Sequence, residues 1–181
     1  SDTDSDTDTD ADTDTDTDTD THTDSDSDTE TDTNVTHVLE FKTSMGDFTV
    51  VLYGDLAPIT VQNFVSYVEK EHFDGLIFHR VIADFMIQGG GVDANGDKVP
   101  TDPPIQLEIA PSIKNVPGAI AMARTNVPNS ATSQFFINVA VNDFLDGDYA
   151  AFGMVRTGYD VVEAISKVAT TSEVPDTQVV I

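Results

Sequence analysis

Arg80 is the residue of this chain best suited to do chemistry. It sits in the strand-like apolar run Phe78-His79-Arg80-Val81-Ile82. A second run follows at once, Phe85-Met86-Ile87-Gln88, and the triplet Gly89-Gly90-Gly91 closes it. Together the runs offer a guanidinium, aromatic rings, a thioether and a primary amide, but no cysteine and no activated nucleophile. An arginine holds its charge at any working pH and presents its donors in a fixed fork. A lone permanent cation beside an apolar patch suits a reaction in which no covalent bond breaks. If the first run is a strand, Phe78, Arg80 and Ile82 share one face, while His79 and Val81 share the other.

Two further blocks lie downstream. Gly118-Ala119-Ile120-Ala121-Met122-Ala123-Arg124 leads into Asn129-Ser130-Ala131-Thr132-Ser133-Gln134-Phe135-Phe136-Ile137-Asn138. Phe144-Leu145-Asp146-Gly147 is followed by Ala151-Phe152-Gly153-Met154-Val155. From about Val35 to Ile181 the chain resembles the cyclophilin family of peptidyl-prolyl cis-trans isomerases. The family signature runs close to Phe-His-Arg-x-Ile-x-x-Phe-Met-x-Gln-Gly-Gly, and all three blocks stand here in family order and at family-like spacing.

The resemblance implies rotation about X–Pro bonds in proteins, without a cofactor or a metal, and a monomer that assists folding. That rotation meets a barrier of about 18–20 kcal/mol set by amide resonance. In the twisted state the prolyl nitrogen regains a lone pair, and a guanidinium aimed at it favours that state over the planar one. Arg80 is the residue that resemblance assigns to this role. Phe85, Met86, Phe136 and Leu145 would form the proline pocket; by composition alone these four read as core residues, and it is the resemblance that reverses this. Gln88 matches the family glutamine that binds substrate backbone, and Gln134 stands at another site position. Ala123 and Arg124 match the stretch along which a substrate peptide lies edge-on.

Phe144 stands where many members have tryptophan, and Tyr149 near their histidine; both departures resemble the bacterial branch. The family's tryptophan gives an indole N–H to the inhibitor cyclosporin, so Phe144 implies weak drug binding and intact catalysis. Gly91 replaces a usual aspartate, a change the sequence leaves without an account. The rival reading, from another class, is a proline-peptide binding module or holdase with incidental turnover. An intact Arg80 favours catalysis, because binding needs only the pocket and groove.

The elements that must position these residues follow from pattern. Val38–Phe41 and Phe48–Tyr53 read as strands of a hairpin turning at Met45-Gly46-Asp47. Ala57-Pro58 opens a helix ending near Glu71 or His72, with Val61, Phe64, Val65 and Val68 as its buried stripe. Short apolar runs follow at 77–82, 85–88, 105–107, 118–123, 134–138 and 151–155. A second helix is predicted over Tyr159–Val168, with Val162, Ile165 and Val168 inward, and a last strand over Gln178–Ile181. The pattern argues for a mostly β, closed antiparallel sheet. The resemblance sharpens it to an eight-stranded barrel capped by two α-helices.

Residues 1–34 are a Thr/Ser-Asp repeat carrying −15 of the chain's net −25. Lacking an apolar face to offset its ordering entropy, this segment is predicted to be a disordered acidic spacer ahead of a 35–181 domain. Massed carboxylates could also gather divalent cations weakly, although nothing in the repeat fixes a turn. Asp93-Ala94-Asn95-Gly96-Asp97 hints at a calcium loop but lacks the glycine and the distal glutamate at their required spacing, so a plain turn is expected. His22 lies in the acidic repeat, His37 and His72 sit at element edges and read as solvated, and His79 reads as a structural partner rather than a base.

Such acidity argues against nucleic-acid binding, which needs clustered Lys and Arg. No apolar run is long enough for membrane insertion as a transmembrane helix. The start at Ser1, the absence of cysteine and the acidic lead-in fit an exported bacterial protein, periplasmic and once lipid-anchored upstream; a cytoplasmic home is the alternative.

Overall fold

The computed structural model describes residues 34–181, so the acidic repeat, apart from Asn34, lies outside the described residues. Strands β1 (His37–Thr43) and β2 (Gly46–Leu52) form an antiparallel hairpin paired from His37↔Leu52 to Thr43↔Gly46. The turn is Ser44-Met45, one residue earlier than the sequence signal suggested. Gly46 opens β2 at φ 128°, a conformation that a Cβ would disfavour, and its carbonyl accepts from Thr43 Oγ1 at 2.6 Å. Helix α1 (Pro58–Glu69) carries its proline in the first turn and stops short of the expected Glu71. Val61 and Phe64 are buried as expected. Val65 and Val68 are half-buried, and Thr60 and Tyr67 complete the inner face.

Five longer strands and short elements follow: β3 (Arg80–Ile82), β4 (Met86–Gly89), β5 (Ala119–Met122), β6 (Phe135–Asn138), β7 (Ala151–Thr157), helix α2 (Tyr159–Ser166), β8 (Thr170–Thr171) and β9 (Val174–Pro175). Helix α2 ends two residues before Val168, and Val162 and Ile165 face inward. The run 105–107 makes no strand, only a single bridge between Ile105 and Ala131. Residues 77–79 are not regular strand either, because Phe78 N–H bonds to Val179 O instead of a strand neighbour. The expected alternation therefore breaks. Phe78 is buried against Phe135, in the same core as Val81, and does not share Arg80's face.

The fold is mostly β with two helices. Its strongly curled sheet has the order β1-β2-β7-β5-β6-β4-β3, antiparallel throughout. The sheet has seven strands rather than the expected eight, and the C-terminal segment adds a single bridge, Val180 to Ile77, instead of a regular strand. Ile181 N–H bonds to Leu76 O at 2.8 Å, and Val180 O accepts from Ser44 N–H at 2.9 Å, so this segment reaches both edges of the curl.

Alternation along the strands sorts residues onto two faces. Ile87, Ile120, Met122, Phe135 and Ile137 point into an aromatic-rich interior with Phe41, Phe48, Phe64 and Phe152. Phe41 and Phe48 stack at 4.8 Å, and Phe64 and Phe73 at 4.9 Å. Their sequence neighbours Met86, Ala121 and Phe136 point outward and build a second cluster with Leu145 and Ala151. At Gly153, in β7, a Cβ would lie 2.4 Å from Val51 O, so only glycine lets β2 and β7 approach this closely.

Candidate functional site

The outward cluster floors a cavity of about 120 Å³ lined by Arg80, Phe85, Met86, Gln88, Ala123, Arg124, Phe136, Leu145 and Tyr149. The other two expected site residues, Gln134 and Phe144, lie outside this lining. Gln134 Oε1 accepts from Gln88 Nε2 at 2.9 Å, and Phe144 stacks on Phe85 with centroids 5.8 Å apart. Phe144 is 66% exposed and forms the rim rather than the floor.

Local structure explains each position. Arg80 opens β3 and pairs with Gln88 across the β3–β4 hairpin, which sets guanidinium and amide side by side. Met86 lies two residues before Gln88 on the same face of β4. Phe136 lies on β6, which pairs with β4 so that Gln88 sits opposite Phe136. Leu145 ends a single 3₁₀ turn, Asp143–Leu145, that also carries Phe144.

The two arginines of the site differ in commitment. Arg124 donates from Nε to Asp148 O and from Nη1 to Thr125 O, each at 2.8 Å. Its guanidinium lies over the Tyr149 ring at 4.6 Å, and Tyr149 meets Phe136 edge-on at 5.8 Å. Arg124 is thus built into the wall as a brace. Arg80 is 40% exposed and donates from Nε to Glu173 Oε2 at 2.6 Å. Among the described residues, its terminal nitrogens have no hydrogen-bond partner.

The wall carrying Phe85, Phe144 and Leu145 hangs on a buried chain of amides. Asp146 Oδ1 accepts from the Asn115 backbone at 2.9 Å and from Asn115 Nδ2 at 3.1 Å. These bonds hold the Asp146 carboxyl below the usual carboxylate range. Asn138 Nδ2 donates to Asn115 Oδ1, and Asn142 Nδ2 donates to Asn138 Oδ1 at 2.7 Å and to Phe85 O at 2.9 Å. All three asparagines are buried. Sequence reading missed this chain; its one signal was a polar Asn138 ending the apolar run of β6.

Gly91 also gains an account. A Cβ there would stand 2.4 Å from Gln134 Cγ and 2.5 Å from Gln134 Nε2. The missing side chain makes room for the Gln134 amide to lie against Gln88.

The histidines divide unevenly. His37 is exposed, as expected. His72 is not solvated: its ring packs on Tyr67 at 4.6 Å, and its Nε2 is buried with no partner among the described residues. Burial holds its pKa below the ordinary value, against the opposing Gly90 backbone. Burial likewise lowers His79, opposed by the Ile77 backbone and the Gln134 side chain. His79 Nδ1 is buried with no hydrogen-bond partner among the described residues.

The Asp93–Asp97 segment is a plain turn. The Asp93 carboxylate accepts from the N–H groups of Asn95 and Asp97 at 2.8 and 3.0 Å, leaving it turned inward on its own loop. Among the described residues no group of three or more His, Asp or Glu side chains converges on a metal position, and no helix is long and apolar enough to cross a membrane.

The site is a small cavity on the outer face of a curled antiparallel sheet, with an apolar floor of Met86, Phe136 and Leu145 and polar groups from Arg80, Gln88 and Arg124 around it. Residues 38–181 match the family described as cyclophilin type peptidyl-prolyl cis-trans isomerase/CLD. A peptidyl-prolyl cis-trans isomerase of Acinetobacter baylyi is 49% identical over 140 residues, spanning 75% of this chain and 74% of that protein. Peptidyl-prolyl cis-trans isomerase B of Escherichia coli is 45% identical over 141 residues, spanning 74% of this chain and 86% of its own. The crystal structure of a Cryptosporidium parvum cyclophilin type isomerase, determined in the presence of the dipeptide Ala-Pro, superposes with a TM-score of 0.70 at 26% identity. That match covers 80% of this chain and 94% of the other. The chain belongs to the cyclophilin-type peptidyl-prolyl cis-trans isomerases, on their bacterial branch, and is an isomerase of X–Pro peptide bonds.

Proposed function

We propose that Arg80 is the catalytic cation and that the cavity beside it receives the proline ring of a protein substrate. The observation that carries this reading is the Arg80 guanidinium, tethered among the described residues through Nε alone, lining a cavity of about 120 Å³ whose floor is apolar. Phe85, Met86, Phe136 and Leu145 hold the pyrrolidine by apolar contact. Gln88 and the β5 end at Ala123 bind flanking backbone. The terminal nitrogens of Arg80 meet the prolyl nitrogen as its lone pair emerges. No proton moves and no bond breaks: the cation attracts the pyramidal nitrogen of the twisted amide more strongly than the planar one, which is the differential binding catalysis requires.

Arg80→Ala tests this. The variant should fold, because Arg80 is half-exposed. It should lose on the order of a hundredfold in kcat/KM, the scale of removing one transition-state donor. A protease-coupled or NMR exchange assay that found it within a few-fold of wild type would remove Arg80 from the mechanism. A binding-only role would leave peptide affinity intact with no turnover in wild type.

The clients we propose are proline-containing segments of unfolded or folding proteins, met by a monomer. Cyclosporin binding is weak in this proposal, because Phe144 offers no N–H donor. An exported, periplasmic setting remains part of the proposal on the strength of the strongly acidic composition, and cell fractionation checks it.

A further inference from the structure

We infer that Glu173 is a positioning residue for Arg80, an inference that rests on the catalytic reading of Arg80 above. Glu173 lies 93 residues away, in the two-residue loop between β8 and β9. It grips β3 twice. Its carboxylate accepts from Arg80 Nε at 2.6 Å, and its backbone carbonyl accepts from Val81 N–H at 2.7 Å. The side chain and the backbone of one residue thus hold two neighbouring positions at the start of the arginine's strand.

The loop itself marks this residue out. Ser172 and Glu173 both have positive φ, 53° and 70°. A two-residue hairpin loop with both central residues left-handed is the turn that Asn-Gly fits best, and a residue with a long side chain is strained there. Turn formation alone would favour glycine at 173. A half-exposed ion pair adds little stability in compensation. The strain is therefore kept where a carboxylate meets the site's uncommitted arginine, a pattern associated with functional positions.

The geometry explains what the contact does. A guanidinium on a flexible stem samples many rotamers. Fixing Nε leaves the two terminal nitrogens as the only free donors and orients their plane. Gln88, opposite Arg80 in the β3–β4 register, is itself held by Gln134, so both polar groups at the cavity mouth are secured from behind. Glu173 touches no substrate atom in this scheme; it sets the angle at which Arg80 does.

The test compares Glu173→Gly, Glu173→Ala and Glu173→Gln with Arg80→Ala in the full chain, by prolyl isomerase assay and thermal melting. Glu173→Gly should melt at or above the wild-type temperature, because it relieves a left-handed residue. It should nonetheless lose about five- to tenfold in kcat/KM, mostly in kcat, as expected when a group is misaligned rather than removed. Glu173→Ala should lose as much. Glu173→Gln keeps an oxygen acceptor for Nε and should stay within about threefold of wild type. In the NMR spectrum the Arg80 Nε–H signal should be protected in wild type and Glu173→Gln, and exchange-broadened in Glu173→Gly. If Glu173→Gly and Glu173→Ala keep wild-type kcat while Arg80→Ala collapses, the positioning role is overturned and the catalytic reading stands. If Arg80→Ala itself is near wild type, the reading beneath the inference has failed instead.

Discussion

Gly91→Ala isolates a single contact of the site. Gly91 is not among the positive-φ glycines, so alanine introduces no backbone strain there. Its Cβ would fall 2.4–2.6 Å from three side-chain atoms of Gln134, well inside contact distance. Gln134 is flexible and half-buried, so it yields by swinging away, and the 2.9 Å bond from Gln88 Nε2 is lost. One hydrogen bond of this kind is worth about 0.5–1.5 kcal/mol. If the bond fixes Gln88 for substrate, the same energy appears in the barrier as roughly a three- to tenfold fall in kcat/KM. The melting temperature should drop by no more than about 2–4 °C per kcal/mol lost. The assay is a double-mutant cycle with Gln134→Ala, read by isomerase kinetics. Gly91→Ala should cost activity in the wild-type background and nothing beyond error in the Gln134→Ala background. An equal loss in both backgrounds, or no loss in either, would refute the argument that Gly91 acts by making room for Gln134.

Gly153→Ala should be far more damaging, because its Cβ meets backbone, Val51 O at 2.4 Å, that cannot swing aside. Overpacking of this kind costs about 3 kcal/mol, and thermal melting should show a fall of roughly 6–12 °C. Phe144→Trp should tighten cyclosporin binding by about three- to tenfold through one new N–H donor; calorimetry giving equal affinities would remove Phe144 from the drug contact. The histidines predict a pH response. With folded-state pKa values of His72 and His79 held below the ordinary 6.5, the unfolded chain takes up protons first as pH falls. The stability these neutral rings contribute is complete above that value and is lost as pH drops below it. The melting temperature should fall between about pH 7.5 and 5.5, and the double variant His72→Phe/His79→Phe should flatten that slope.

What could be read from the sequence was local. Met86 and Gln88 share a face because β4 alternates strictly, and Phe136 joins them because β6 pairs in register with β4. The helices were legible because Pro58 opens one and Val162 and Ile165 recur at helical spacing in the other. Prediction failed where a long-range partner overrode the local pattern. Phe78 left Arg80's face because its N–H went to Val179, a hundred and one residues on. Ile105 looked like a strand residue but found only Ala131 opposite it. His72 reads as an edge residue until Tyr67 is seen to cover it. Glu173, in a polar stretch after the second helix, carries no local sign that it reaches Arg80. The asparagine chain was hidden for a related reason: each Asn reads alone as a turn former, and only the fold brings 115, 138 and 142 together.

That asparagine chain has a consequence for how fast the pocket works. A wall held by apolar contact alone can slide and re-form around an incoming ring. A wall hung from directional bonds between Asp146, Asn115, Asn138, Asn142 and the Phe85 carbonyl has one favoured shape, and a slip would leave buried amides unpaired. The cavity is then already formed when a peptide arrives, and little ordering entropy remains to be lost on association. Capture of a proline segment should proceed as a one-step encounter whose rate scales linearly with peptide concentration, without the plateau that a slow opening of the wall would impose.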